Sequence, residues 1–98
     1  MFAALAYFVG SYLHQDWVDD YGDLQTAIGD YTTHESAALR AQLLADIDAV
    51  LLHGYTEAAL RRLLIDQMDS NYRAEVDGLT YRSWLERVRA ILLEPSEG

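Results

Sequence analysis

The sequence contains no cysteine, no lysine and only one proline among 98 residues. Without cysteine, neither a disulfide framework nor a thiolate metal site can form, which fits a reducing cytoplasm. The scarcity of proline, together with only six glycines, leaves long uninterrupted windows for helices. No stretch of useful length shows the alternation of apolar and polar residues that indicates a strand. The sequence therefore predicts an all-α fold and a cytoplasmic location.

We expect one helical domain over residues 1–98, with residues 95–98 as a flexible tail. A chain of this length supplies a single modest core, and an apolar fraction of 51% argues against disorder. The predicted architecture is a compact bundle of about five helices with short connections.

The first helix is predicted at the N-terminus. The apolar run of residues 1–10 lacks the positively charged leader of a signal peptide and is too short to span a bilayer. Phe2, Leu5, Val9 and Leu13 recur at helical spacing. We therefore expect a core helix of about three turns.

Four further helices follow from apolar periodicity and capping residues. Asp23 is expected to cap a short second helix, because Gly29 interrupts its apolar pattern before the polar break of residues 32–36. The others are predicted at residues 35–53, 57–68 and 81–93. Their expected boundary residues are Gly54, Thr56, Thr80 and the Glu94-Pro95 pair.

The helix at residues 35–53 has the clearest apolar stripe and is expected to be central in the core. On the next helix, Glu57 and Arg61 are four residues apart, as are Arg62 and Asp66. Such pairs typically attract one another on an exposed helix face. The sequence therefore predicts two intrahelical ion pairs there.

The net charge of −9 is unevenly distributed. All seven basic residues are arginines that begin at Arg40, so the first 39 residues carry no cation except histidine. A field of this sign repels nucleic acid and anionic membranes and attracts a basic partner. Solubility alone is the other explanation. The carboxylates of this half are the candidate partner contacts: Asp16, Asp19, Asp20, Asp23, Asp30 and Glu35.

One cluster, formed by His14 with Asp16, Asp19 and Asp20, has side chains suited to metal binding or acid–base catalysis. Its spacing matches no established ligand motif, and the three histidines lie on different segments. No glycine-rich phosphate loop or nucleophile elbow is present. We therefore predict no metal, no other cofactor and no enzymatic activity.

A structural role for this stretch is the simpler interpretation. His14 and Gln15 are expected to fasten a corner of the chain to backbone groups. Trp17 and Tyr21 are then anchors that pack the corner onto the bundle.

Two separated motifs resemble the small acidic immunity proteins of bacterial contact-dependent growth inhibition systems. The first is Tyr12-Leu13-His14-Gln15-Asp16-Trp17 followed by Tyr21-Gly22. The second, Gly78 to Leu85, is similar to the family pattern Gly-x-Ser/Thr-Tyr-x-x-Trp-Leu. The leucine-rich helix ending near His53-Gly54 also matches. Two places depart from the family pattern. Position 13 is leucine where phenylalanine is common, and residues 71–75 do not match the Tyr-x-Pro-like loop of the family.

The resemblance implies a protein that binds the toxin domain encoded beside it and blocks its active site or its access to substrate. Many such toxins are nucleases with basic clefts, for which an acidic surface would compete. Motifs shared by immunity proteins against different toxins are expected to preserve the fold. The predicted scaffold residues are Tyr12, His14, Gln15, Trp17, Tyr21, Tyr81 and Trp84.

Two alternatives remain open. A small acidic adaptor or regulatory subunit would dock through an apolar helix face, with little dependence on salt. A metal-dependent hydrolase would bind divalent metal stoichiometrically and lose it when His14 is replaced. The activity of the toxin and the oligomeric state do not follow from the sequence.

Overall fold

The computed structural model describes residues 2–93, which form helices with short connections and no strand. The predicted all-α fold is confirmed. The helices are α1 (Ala3–Tyr12), α2 (Trp17–Tyr21), α3 (Leu24–His34), α4 (Ala37–His53), α5 (Glu57–Arg61) and α6 (Tyr81–Leu93). A π-helical turn, Arg62–Gln67, continues α5, and a 3-10 turn, Ala74–Asp77, precedes α6. The predicted stop at Glu94-Pro95 and the predicted tail at residues 95–98 lie outside the described residues.

Side-chain caps begin three helices at the predicted residues Asp23, Thr56 and Thr80, whereas α4, predicted to begin at residue 35, is capped by Ser36. Asp23, Ser36 and Thr56 each accept a hydrogen bond from the backbone N–H three residues later, at 2.7–3.1 Å. The Thr80 hydroxyl accepts from the Ser83 N–H at 3.0 Å, at the start of α6. These bonds satisfy N–H groups that have no partner inside the helix. At the end of α4, Gly54 takes the left-handed conformation predicted for it, with a φ of 80°.

The core lies where α1, α3, α4, α5 and α6 meet. Helix α6 packs against α3, α4 and α5, whereas α4 packs against α1 and α6. The central position predicted for α4 is therefore shared with α6, whose buried face includes Trp84 and Leu85. No helix within residues 2–93 combines the length and apolarity needed to cross a membrane.

Helix α3 is longer than the sequence predicts. It runs for eleven residues through Gly29, and only Glu35 and Ser36 separate it from α4. The predicted polar break fails because Thr32 and Thr33 donate their hydroxyl groups to the Gly29 carbonyl within the helix, at 3.0 and 2.8 Å. Helices tolerate threonine when its hydroxyl bonds back in this way.

The predicted ion pair between Glu57 and Arg61 is wrong. Glu57 instead accepts hydrogen bonds from the Tyr81 and Arg82 N–H groups, at 2.7 and 3.0 Å, at the start of α6. A carboxylate is strongly favoured there because helix N-termini expose unpaired N–H groups and a positive dipole end. Arg61 turns to Glu75, with 3.3 Å between Nε and Oε1.

The helix predicted at residues 57–68 is not continuous, because only its first half, α5, is α-helical. Its second half is the π-helical turn, and the Met68 N–H bonds to the Leu63 carbonyl, five residues back, at 3.1 Å. The predicted ion pair between Arg62 and Asp66 does not form within residues 2–93.

Asp46 supplies a second long-range cap. Its Oδ2 accepts from the N–H groups of Ala4 and Leu5, at 2.9 and 3.1 Å, so α4 caps the start of α1. The half-buried carboxylate of Asp46 therefore joins two helices.

Candidate functional site

The corner between α1 and α3 is held by hydrogen bonds of its own. His14 Nδ1 accepts from the Asp16 N–H at 3.0 Å, and His14 Nε2 lies 3.2 Å from Asp20 Oδ2. A neutral imidazole that accepts at Nδ1 carries its proton on Nε2, so Asp20 receives the second hydrogen bond. Gly22 ends α2 with a φ of 81°, which lets the chain turn into α3. Both ring nitrogens of His14 are therefore engaged in hydrogen bonds that hold the corner in its conformation.

Gln15 does not share this fastening role. Its side chain is exposed and makes no hydrogen bond to another group within residues 2–93. Among these residues, no group of three or more metal-ligating side chains is close enough to hold an ion.

Aromatic contacts anchor the corner on two sides. Tyr21 stacks on Tyr12 of α1, with ring centroids 6.1 Å apart. Trp17 meets Tyr72 edge-on at 5.6 Å, and Tyr72 stacks on the buried Trp84 of α6 at 5.1 Å. Through these rings the short helix α2 packs against α1 on one side and against the Tyr72–Trp84 pair on the other. This packing is expected of aromatic anchors that carry large apolar area.

Two of the six candidate carboxylates hold tyrosine hydroxyls. Glu35 Oε1 accepts from Tyr7 and Tyr12, at 2.7 and 2.8 Å, and Asp30 Oδ2 accepts from Tyr21 at 2.9 Å. Burial and the Asp30 hydrogen bond raise the pKa of Tyr21 to about 12. Burial and the Glu35 hydrogen bond raise the pKa of Tyr12 further. These hydroxyls therefore stay protonated near neutral pH and keep donating.

The other four candidate carboxylates, Asp16, Asp19, Asp20 and Asp23, are exposed around α2. None pairs with an arginine within residues 2–93. Hydrogen bonds from the Thr26 side chain and backbone lower the pKa of Asp23. These groups thus form an acidic surface at one corner of the molecule, which we call the acidic corner.

A groove that the sequence analysis missed lies beside the acidic corner. It consists of two adjoining clefts of about 310 and 350 Å³, which share Tyr72 and Asp77. Trp17 and Val18 line the first cleft, and Asp23 lines the second. The groove therefore joins the acidic corner to the segment between α5 and α6. No local pattern in the polar stretch of residues 69–79 indicates it, because its walls come from distant parts of the chain.

Comparison with known proteins points to one family. The family model of the CdiI immunity protein matches residues 1–92. The fold is similar to a chain in the crystal structure of the CdiA-CT/CdiI complex from Y. kristensenii 33638, with a TM-score of 0.88 and 23% sequence identity. That match covers 93% of this chain and 97% of the other. No curated protein matches the sequence.

Proposed function

The chain belongs to the CdiI immunity protein family, and we propose that it neutralises its toxin by presenting the acidic corner to a basic cleft. The partner is the C-terminal toxin domain of a contact-dependent growth inhibition system. The protein acts as an inhibitor in the cytoplasm and carries out no catalysis. The bound corner blocks the active site of the toxin or its access to substrate.

The observation that carries this proposal is the exposure of four carboxylates without an arginine partner within residues 2–93. Asp20 and Asp23 each use one oxygen in an internal hydrogen bond but are exposed, whereas Asp30 and Glu35 are half-buried against the tyrosines that they bind. Asp30 and Glu35, which hold tyrosine hydroxyls, therefore serve to position the surface beside the corner. Asp16, Asp19, Asp20 and Asp23 are the proposed direct contacts.

The chemistry of the corner fits a toxin that is a nuclease. Nucleases bind phosphate backbones through arginine and lysine, and the carboxylates of the corner offer the same cations an alternative anion. Opposite fields also accelerate encounter between two proteins, which suits an inhibitor that must reach a toxin before its substrate does.

The test is the association rate of a triple variant, Asp19→Asn, Asp20→Asn and Asp23→Asn, with the toxin domain. Asparagine removes each charge, and at position 23 it still caps α3, so helicity is expected to stay unchanged. We expect the rate measured by stopped-flow at low salt to fall about tenfold. The difference is expected to shrink as salt rises, because surface charges are then screened.

A matched control removes three charges elsewhere: Asp48→Asn, Asp66→Asn and Glu86→Gln. These residues lie on α4, the π-helical turn and α6. The control is expected to slow association far less than the corner variant. Equal slowing by both variants would assign the effect to net charge, and an unchanged rate for the corner variant would remove these carboxylates from the contact.

A further inference from the structure

The first cleft of the groove has unusually apolar and exposed walls. Among residues 2–93, five large apolar side chains are exposed, and two of them, Val18 and Val76, line this cleft. Val18 is 56% exposed and Val76 is 83% exposed. Trp17 and Tyr72, in edge-on contact, also line the cleft. Grouped apolar exposure next to aromatic side chains is typical of a protein-binding surface.

Carboxylates of the acidic corner lie next to the groove, and two aspartates line it. Asp77 lines both clefts and accepts a hydrogen bond from Tyr72, while Asp23 lines the second. On α2, Asp19 follows Val18 by one helical position, about 100° around the axis, on the exposed side. Arg73 in the first cleft and Arg87 in the second balance the two aspartates that line the groove. The excess negative charge beside the groove therefore comes from the exposed Asp16, Asp19 and Asp20 of the acidic corner.

Arg73 is partly committed inside the molecule. Its Nη1 donates to the Ser70 carbonyl at 2.9 Å. The first cleft thus combines an apolar interior with the negative charge of the adjacent acidic corner. The occupant that complements it is an apolar side chain flanked by a cation.

We propose that the cleft between α2 and the Ala74–Asp77 turn receives an apolar side chain of the toxin domain that is flanked by lysine or arginine. This inference rests on the proposed function and adds an apolar anchor to the electrostatic contact. Buried apolar anchors usually contribute most of the affinity of an interface, whereas exposed charges at the rim mainly set the rate of association.

A second copy of the chain is a poorer occupant of the same cleft. Each copy has a net charge of −9, and the first 39 residues contain no lysine or arginine. Bringing two acidic corners together costs repulsion between like charges. A cationic partner gains attraction from the acidic corner beside the cleft.

The substitution Val76→Asp tests the apolar anchor because the two explanations predict changes in affinity of opposite sign. If the corner acts only through charge, an added carboxylate strengthens binding to a basic toxin. If the cleft is filled by an apolar side chain, the same carboxylate loses its water and weakens binding. We expect the dissociation constant, measured by calorimetry with the toxin domain, to rise at least tenfold.

The matched control is Leu52→Asp. Leu52 is 87% exposed at the end of α4 and lines neither cleft. This variant adds the same charge to a similarly exposed apolar position, so its dissociation constant is expected to stay within about twofold of the original. Both side chains are exposed, so neither change is expected to reduce folding stability substantially.

A second measurement reports directly whether Trp17 lies at the interface with the toxin domain. The chain has two tryptophans, and 5-fluorotryptophan labelling gives one fluorine NMR signal for each. We expect the Trp17 signal to move more than that of the buried Trp84 when unlabelled toxin domain binds.

An unmoved Trp17 signal in a formed complex, or equal affinities for Val76→Asp and Leu52→Asp, would overturn the anchor and leave the immunity function intact. Failure of the unmodified protein to bind the toxin domain at all would overturn both proposals.

Discussion

Replacing Trp84 with alanine is expected to lower the free energy of unfolding by about 3–5 kcal/mol. Trp84 is 1% exposed, and its ring stacks on Tyr72 at a centroid distance of 5.1 Å. Its removal leaves a cavity in the core. It also removes the ring on which Tyr72, which lines both clefts of the groove, is stacked. Urea unfolding followed by circular dichroism measures the change. A loss below about 1 kcal/mol would contradict the central packing role of this ring.

Trp84→Phe is the control for this prediction. The indole Nε1 is buried and has no hydrogen-bond partner within residues 2–93. Phenylalanine keeps an aromatic ring in the stack and deletes the unpartnered N–H, whose burial carries a desolvation cost. We expect a loss of less than about 1.5 kcal/mol. Similar losses for alanine and phenylalanine would mean that the ring stack contributes little.

Replacing Asp46 with alanine is expected to cost about 2–3 kcal/mol of unfolding free energy. The change leaves the N–H groups of Ala4 and Leu5 without their acceptor and removes a negative charge from the N-terminal end of α1. Thermal and urea unfolding both report this loss.

Asp48→Ala provides the matched control on the same helix. Asp48 makes an ion pair with Arg89, with 2.6 Å between Oδ1 and Nε, but both side chains are over 40% exposed. Exposed ion pairs contribute at most about 1 kcal/mol. Equal losses for Asp46→Ala and Asp48→Ala would show that the Asp46 cap contributes no more than a surface charge.

Local patterns in the sequence predict the ends of several helices well. Asp23, Thr56 and Gly54 act where predicted, because caps and stops depend on neighbours within three or four residues. The roles of Asp46 and Glu57 are not predictable in this way. Their partners lie more than twenty residues away in the chain, and only the packing of the helices brings them together.

In the candidate site, too, features set by neighbours in the sequence are predictable, whereas features that depend on tertiary contacts are not. Exposure of Asp16, Asp19 and Asp20 follows from the composition of a charged corner with aromatic anchors. The contacts of Glu35 depend on where α1 and α3 meet, so its sequence neighbours give no sign that it holds two tyrosine hydroxyls. The groove is hidden for the same reason, since Val76 contributes to a cleft whose opposite wall lies nearly sixty residues earlier.

The most direct test of the account is a calorimetric titration of the unmodified protein with its cognate toxin C-terminal domain, at low and at physiological salt. The central claim is one-to-one inhibition through the acidic corner. It predicts tight one-to-one binding whose affinity falls as salt rises, because the attraction between exposed charges is screened. Tight binding that does not respond to salt would contradict the electrostatic contact and favour a wholly apolar interface. Absence of binding to a folded toxin domain would contradict the immunity function itself.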